Sequence, residues 1–278
     1  MITHPSPSPT IRRIQAVPAD TQALSFVEHH SLGDSAYTPA EMATVLAQPE
    51  HYAYLASCDE QDVGFVSCFE TEEGQRLEVD MLGVLPAFRG RGIASRLIAH
   101  AVDEARARGV RSARGVVALD NTASQRAFAH AGFVPRAHAE HPDTPLVHAM
   151  LVYIIRGLCP QPLPAGWELE LTTSGNTERF RLGNGDELVG QAECLCVQTL
   201  CYSGLWVEHL EAVSDQAQRR LARVLVERAK VLELDEVGYL APQVEMRPPN
   251  PQAPRFLPFI RDGYSDRGDY MIYKAAWS

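Results

Sequence analysis

The sequence predicts an α/β chain, of the α+β kind, in which two similar domains follow one another, and three observations lead to this prediction. A strand-like segment, Arg76–Val84, runs through a glycine-rich turn into a segment whose apolar residues recur at helical spacing. Strand-like and helix-like segments alternate up to about residue 156. Much of the same order then recurs after a proline-rich stretch, Gly157–Gly166, at a period far longer than that of solenoid repeats.

Each element of the first half has its own sequence signal. Weak alternation at Ile11–Val17 predicts a first strand, and two helices follow, the second of which opens with a capping box at Thr38 and Glu41. A hairpin is predicted around Cys58–Asp62, ahead of the strand, turn and helix described above. The remaining elements are a strand, a short helix and a closing strand, at Arg114–Leu119, after Asn121 and at Leu146–Ile155.

The turn between strand and helix has the features of a site for a phosphate-bearing ligand. Gly90 and Gly92 let the backbone approach an anion, and Arg89 and Arg91 add positive charge at the rim. The first turn of the following helix offers free N–H groups and the positive end of the helix dipole. We therefore interpret Arg89–Ser95 as a diphosphate-binding turn.

Two common phosphate-binding motifs do not describe this turn. A P-loop requires a Gly-Lys-Ser/Thr sequence, which the chain lacks. The dinucleotide fingerprint G-x-G-x-x-G is only half met, because Ser95 stands where the third glycine belongs. No acidic residue stands about 20 positions further on, at the end of a second strand, to bind a ribose. A nucleotide-dependent Rossmann enzyme is therefore not favoured.

The spacing that does fit is Arg-x-x-Gly-x-Ala, with the arginine, glycine and alanine at Arg89, Gly92 and Ala94. Preceded by a strand, it resembles the acyl-CoA pyrophosphate loop of the GNAT superfamily of N-acyltransferases. A second segment, Asn121–Phe133, resembles that family's Asn-x-x-Ala/Ser-x-x-x-Tyr-x-x-x-Gly-Phe element, and the two motifs occur in the family's order. The resemblance implies a mixed, mostly antiparallel sheet flanked by helices.

The second half is expected to be a degenerate copy of the first. We divide the chain into a disordered lead-in at 1–10, a CoA-binding GNAT domain at 11–156, a linker at 157–166 and a degenerate GNAT-like domain at 167–278. Where the turn of the first domain has glycines, the second has Ser214–Gln218, with no glycine and an added acid at Asp215. A carboxylate there opposes diphosphate binding. Whether this domain shapes the substrate cleft or only stabilises the first stays open.

The resemblance also implies which residues hold the cofactor. Backbone N–H groups of Arg89–Ala94, with the hydroxyl of Ser95, would hold the diphosphate, and the backbone of the preceding strand would pair with the pantetheine arm. Asn121 would contact the arm or cap the following helix, and the two roles are compatible. The predicted cofactor-binding residues are Leu82, Gly83, Val84, Arg89, Gly90, Arg91, Gly92, Ile93, Ala94, Ser95, Asn121 and Phe128.

The catalytic groups are less clear from the sequence. Glu78 lies six residues before Val84, where some family members carry a glutamate base, and Asp80 points to the same face of the strand. Such a carboxylate pair raises one pKa toward neutrality, although a solvated strand face would look the same. Phe128 stands where the family usually has the tyrosine that protonates the leaving thiolate, so the general acid stays open.

Composition restricts the partners of the protein. A net charge of −10 argues against a nucleic-acid partner, and no apolar run is long enough to cross a membrane. Six cysteines without a signal peptide suggest reduced thiols in the cytoplasm. Three of them cluster, at Cys194, Cys196 and Cys201, but we interpret them as strand residues because the spacing matches no zinc pattern. No metal is expected.

The sequence thus predicts an N-acetyltransferase that moves an acetyl or other acyl group from acetyl-CoA to an amine by direct attack. The acceptor is expected to be a small molecule or a peptide, and the protein a monomer or homodimer. The alternative is an acyl-CoA-binding module with little or no turnover, which Phe128 and the degenerate second domain suggest.

Overall fold

The structure is a computed structural model, and it describes residues 8–33, 37–155, 165–243, 259 and 262–277. The helices are α1 (Pro18–Leu32), α2 (Pro39–Leu46), α3 (Ile93–Ala107), α4 (Thr122–His130) and α5 (Asp215–Val231). The first seven strands are β1 (Thr10–Arg13), β2 (His51–Cys58), β3 (Gln61–Thr71), β4 (Arg76–Val84), β5 (Ser112–Ala118), β6 (Val134–Pro135) and β7 (Val147–Ile154). The others are β8 (Trp167–Ser174), β9 (Thr177–Asn184), β10 (Glu187–Gln198), β11 (Ser203–Ala212), β12 (Glu236–Pro242) and β13 (Ser265–Ala276).

The chain forms two compact units. Unit 1 comprises the described residues up to Ala137 together with Thr199–Cys201 and the stretch from Ile272 onward. Unit 2 comprises the described residues of His138–Gln198 and Tyr202–Met271. No helix within the described part of the chain is long and apolar enough to cross a membrane. Most of the predicted lead-in and linker lies outside the described residues, but Thr10, which we placed in the lead-in, begins β1.

The sheet of unit 1 is mixed and mostly antiparallel, as predicted. Strands β1 to β4 pair antiparallel in chain order, and β5 pairs parallel to β4. Helix α1 packs on β3, β4 and α2, whereas α3 packs on β2, β3, β4 and α4. The core between them contains fully buried side chains such as Leu24, Phe65, Leu97 and Ile98. Apolar residues at helical spacing therefore bury one face of each helix on this sheet.

The capping signals in unit 1 are confirmed. Thr38 and Glu41 form the predicted box, because the Thr38 hydroxyl accepts from Glu41 N and the Glu41 carboxylate accepts from Thr38 N at 2.7 Å. The hairpin between β2 and β3 turns at Asp59 and Glu60, which both adopt positive φ. The local sequence thus sets where these elements begin and end.

The sheet of unit 2 also combines one parallel pair with antiparallel pairs. Strands β8 to β11 pair antiparallel in chain order, β12 pairs parallel to β11, and β7 pairs antiparallel to both β12 and β13. Helix α5 packs on β10, β11 and β12. Strands, a hairpin and a helix thus recur in this half in the order that the sequence predicted, although the sequence did not predict β12.

The boundary predicted between residues 156 and 157 does not coincide with the boundary between the two units. The strand expected to close the first domain belongs to unit 2, and the end of the strand expected to close the second belongs to unit 1. Strand β7, expected to close the first domain, pairs with β12 in unit 2. The end of β13, expected to close the second, belongs to unit 1, where Tyr273 pairs with Pro135 of β6. Nearby, Trp277 N donates to Arg111 O at 3.1 Å. The apolar patterns of β7 and β13 are compatible with either sheet. The sheet that each strand joins is therefore decided by pairing with strands far away in the sequence.

The two units share a local irregularity at the parallel pair. In unit 1 the pairing of β4 with β5 ends at Val79, and Asp80 is the extra residue of a β-bulge against β3. In unit 2 the pairing of β11 with β12 ends at Val207, and Glu208 is the extra residue of a bulge against β10. In both units a β-bulge thus begins one residue after the parallel pairing ends, and this shared feature supports the predicted duplication.

Candidate active site

The parallel strands of unit 1 separate just where the cofactor arm was predicted. Strand β4 pairs with β5 from Arg76 to Val79, and beyond Val79 it pairs with β3 alone. Leu82, Gly83 and Val84 lie in this second stretch, so their edge toward β5 is not taken by a strand in the described chain. An unpaired strand edge offers backbone N–H and C=O groups to an extended ligand.

Close packing explains why a glycine stands at position 83. A Cβ there would lie 2.2 Å from Ser31 Oγ and 2.5 Å from the Phe65 ring. Helix α1 therefore approaches β4 closely enough to exclude any side chain at Gly83.

The glycine-rich turn has the backbone geometry expected of an anion site. Gly90 and Gly92 adopt φ of 76° and 74°, in the left-handed region that favours glycine. Gly92 is the N-cap of α3 and provides no side-chain cap, so the first N–H groups of the helix have no partner from that residue. The Ser95 hydroxyl, at the half-buried first turn, donates to Gly92 O at 3.0 Å. The Ile93 side chain is 2% exposed, which leaves only its backbone for a ligand.

The two arginines of the turn differ in their contacts. Arg89 donates from Nε to Val84 O at 3.0 Å and from Nη2 to Ser31 O at 2.9 Å, so it ties the turn to β4 and α1. Arg91 lies over the Phe88 ring at 4.9 Å and is exposed. Arg91 also donates to Ala87 O at 3.1 Å, and because both arginines are exposed, both place positive charge at the rim of the turn, as the sequence predicted.

The second predicted motif forms α4. Asn121 is its N-cap, and its side-chain oxygen accepts from Ser124 N at 3.1 Å, which confirms the capping alternative for this residue. Phe128 is 4% exposed and packs on Phe133 and Tyr273, with ring centroids 5.1 and 5.7 Å away. A Cβ at Gly115 of β5 would lie 2.3 Å from the Phe128 ring. This ring therefore lies over Gly115, the last residue of β5 that pairs with β4.

Glu78, the predicted general base, is enclosed by cations. It is 2% exposed. Its Oε1 accepts from Arg76 Nε at 2.6 Å and from the Thr71 hydroxyl at 3.0 Å, while its Oε2 accepts from Arg114 Nε at 2.8 Å. A buried carboxylate with both oxygens bound to guanidinium groups is a structural ion pair, and its lone pairs are not directed to a substrate. The geometry thus disfavours Glu78 as the base.

Asp80 has the properties of a base instead. It is half-buried at the point where β4 and β5 separate. Burial raises its pKa from 3.8 to about 7, the charge of Glu78 adds to the rise, and a hydrogen bond from Ser67 Oγ at 3.5 Å opposes it. The negative charge of Glu28 is a smaller contribution in the same direction. A carboxylate poised near neutral pH accepts protons efficiently.

A third carboxylate, Glu28 of α1, was not predicted. It is 2% exposed, its Oε1 accepts from Cys201 Sγ at 3.2 Å, and its Oε2 has no hydrogen-bond partner among the described residues. Cys201 also lies 3.0 Å from Met81 Sδ, next to Asp80 on β4. The sequence signal was an acid on the apolar face of α1, three residues before the buried Ser31 and four after the buried Leu24. No local signal indicated that Cys201, which follows β10, belongs to unit 1.

The corresponding helix start in unit 2 is closed by its own side chain. Ser214 caps α5 by accepting from Ala217 N at 3.2 Å, and Asp215 lies in the first turn. An occupied cap beside a carboxylate contrasts with the bare Gly92 cap of α3. The loss of diphosphate binding in the second domain stays a prediction.

No group of three or more His, Cys, Asp or Glu side chains within the described ranges is placed to hold a metal ion. Cys194 is buried and Cys196 half-buried along β10, as expected of strand residues.

Comparison with known proteins agrees with this architecture. Residues 20–133 match the model of the acetyltransferase (GNAT) family. A GCN5-related N-acetyltransferase from Sphaerobacter thermophilus superposes with a TM-score of 0.59 and 14% identity, over 96% of this chain and 95% of that one. A tandem GNAT protein from the clavulanic acid biosynthesis pathway superposes with a TM-score of 0.51 and 14% identity, over 96% and 98% of the two chains. No curated protein sequence matches the chain.

These structural likenesses concern the fold, whereas the family model concerns the sequence of the site-bearing part of unit 1. The matched residues contain the β4 edge, the glycine-rich turn, α4, Glu28 and Asp80. The chain thus has a tandem GNAT fold, and its residues 20–133 match the model of the acetyltransferase (GNAT) family.

Proposed function

We propose that unit 1 binds acetyl-CoA or a related acyl-CoA and transfers the acyl group directly to an amine. The observation that carries this proposal is the position of Asp80. This half-buried carboxylate, with its pKa raised to about 7, lies where the paired strands separate, within the family-matched segment. A base poised near neutral pH is what an ammonium acceptor requires before it can act as a nucleophile.

The chain offers suitable groups for holding the cofactor. The glycines at 90 and 92 and the uncapped start of α3 fit a diphosphate, which accepts hydrogen bonds from backbone N–H groups. The free edge of β4 at Leu82–Val84 fits the amide groups of a pantetheine arm. Arg91 adds an exposed positive charge beside the turn, and Arg89 keeps the turn in place. When bound, acetyl-CoA supplies the thioester carbonyl that the amine attacks.

Residues of the chain would then carry out the proton transfer. Asp80 takes a proton from the acceptor ammonium, and Ser67 holds the Asp80 carboxylate through its hydroxyl. Glu78, paired with Arg76 and Arg114, contributes a negative charge that keeps the pKa of Asp80 high. Phe128 has no proton to give, but a thiol with a pKa near 8.5 is a tolerable leaving group.

The alternative is an acyl-CoA-binding module with little turnover. The observation that favours it is the buried phenyl ring of Phe128, which fills the position of the family's tyrosine and packs on Phe133 and Tyr273. The expected small-molecule or peptide acceptor, the monomeric or homodimeric state and the cytoplasmic location remain predictions, as does the loss of CoA binding in unit 2.

A thiol-release assay separates the two functions. The purified chain is incubated with acetyl-CoA and a panel of primary amines, and the free CoA thiol is titrated while the products are weighed by mass spectrometry. Acyl transfer predicts thiol release that depends on both the amine and Asp80, with an acetylated product. If CoA binds but no amine stimulates thiol release, the binding module is the better description.

A further inference from the structure

We propose that the acceptor of unit 1 is a di- or polyamine, whose second ammonium group is bound by Glu28 while the first reacts at Asp80. This inference rests on the proposed function, since it names the class of acceptor that the same site takes. It is carried by an unsatisfied buried carboxylate oxygen, a local excess of negative charge and the contacts that link Glu28 to β4.

The first step is the unsatisfied oxygen. Glu28 is 2% exposed, and the Cys201 thiol satisfies Oε1 only, so that no donor in the described part of the chain reaches Oε2. A buried carboxylate oxygen without a donor costs considerable free energy in the unliganded protein. An arrangement of this kind fits a ligand that brings the missing donor, and an ammonium group brings three.

The second step is the charge of the site. Glu78 forms ion pairs with Arg76 and Arg114. Among the described residues, no such cation is found within ion-pair distance of Glu28 or Asp80. The site therefore presents two carboxylates for which the described residues supply no counter-ion, and an acceptor with two positive groups supplies both. A monoamine or a peptide N-terminus brings only one such group.

The third step is proximity. Cys201 Sγ lies 3.2 Å from Glu28 Oε1 and 3.0 Å from Met81 Sδ, and Met81 follows Asp80 on β4. Glu28 is also near enough for its charge to raise the pKa of Asp80. Glu28 of α1 and Asp80 of β4 are thus neighbours, and the two ammonium groups of a diamine with a few methylene groups between them match such a pair.

A binding measurement tests the inference without turnover. We would titrate 1,3-diaminopropane, 1,4-diaminobutane and spermidine, each against the monoamine of matching length, into protein saturated with CoA and follow the heat. We expect the diamines to bind at least about 10-fold more tightly than the monoamines, because a hydrogen bond to a charged group contributes about 1.5–3 kcal/mol, or about 10- to 100-fold.

The variant that isolates Glu28 is Glu28→Gln, which keeps the size of the side chain and removes its charge. We expect it to lose about 10- to 100-fold in diamine affinity while monoamine and CoA affinity stay within about twofold. Glu104→Gln, on the exposed side of α3, makes the same chemical change away from the site and should alter nothing. Unchanged CoA affinity in Glu28→Gln also shows that the variant is folded.

The outcomes are distinct for the two proposals. Equal affinity of diamines and monoamines, or equal losses for both in Glu28→Gln, would overturn the role of Glu28 whether or not turnover occurs. Selective diamine binding without any thiol release would uphold the acceptor site and reject acyl transfer. Thiol release with monoamines as fast as with diamines would uphold acyl transfer and reject the diamine acceptor.

Discussion

Arg114 Nε donates a 2.8 Å hydrogen bond to Glu78 Oε2, and both side chains are buried. This ion pair joins β5 to β4 directly below the point where the two strands separate. It turns the residue that the sequence favoured as the base into a structural element that shapes the environment of Asp80.

Glu78→Gln should therefore act on stability. Removing the charge takes from buried Arg114 and Arg76 the carboxylate that both bind, although Arg76 keeps its ion pair with Glu72, and we expect the free energy of unfolding to fall by about 3 kcal/mol. Urea denaturation of the variant and of the unaltered chain measures the difference. Normal stability combined with a selective loss of turnover would restore Glu78 as the base.

Asp80 should control the pH dependence of the rate. Because its pKa is raised to about 7, kcat should rise with pH until Asp80 is ionised and then stay constant, which gives the pH–rate profile a limb near pH 7. Asp80→Asn should lower kcat by about 10²- to 10⁴-fold and abolish the limb near pH 7. A pH–rate profile of both proteins, with CoA affinity as the control for folding, checks this. A limb near pH 7 that survives in Asp80→Asn would contradict the assignment.

The same group should also lower stability as the pH rises. The pKa of Asp80 is higher in the folded chain than its ordinary value of 3.8, so the unfolded chain binds fewer protons between about pH 4 and pH 7. The contribution of Asp80 to stability therefore falls through this window, by a few kcal/mol at most, at about 1.4 kcal/mol for each pKa unit. In urea titrations, the free energy of unfolding of Asp80→Asn should increase relative to that of the unaltered chain as the pH rises from 4 to 7. A constant difference across that range would argue against the raised pKa.

Gly83→Ala should disturb the junction of α1 and β4. The added methyl group meets Ser31 Oγ and the Phe65 ring well inside contact distance, so we expect a loss of about 1–3 kcal/mol in unfolding free energy. Gly183→Ala is the matched control, since it also lies in a strand and its nearest neighbour is 3.7 Å away. Thermal or urea unfolding of both variants tests the packing, and equal stabilities would show that α1 does not need Gly83.

Local features of the chain could be predicted from the sequence, because they depend on neighbours along it. Strand β4 was predicted with the bounds that the structure has, and the box at Thr38 and the uncapped turn at Gly92 were also found. Contacts between distant parts of the chain could not be predicted from the sequence. The ion pair of Glu78 with Arg114 and the contact of Cys201 with Glu28 join segments 36 or more residues apart, and the position of Asp80 in a bulge depends on strand register.

The turn at Arg89–Ser95 is expected to hold the diphosphate of a single CoA, and titration calorimetry of CoA into the purified chain measures this binding. We expect one CoA per chain, with binding lost in Gly92→Glu, which places a carboxylate at the N-cap of α3. Gly109→Glu serves as the control, because Gly109 has a similar positive φ of 97° just beyond the other end of α3. Absent binding, a second equivalent CoA or unchanged affinity in Gly92→Glu would show that the turn does not hold the diphosphate.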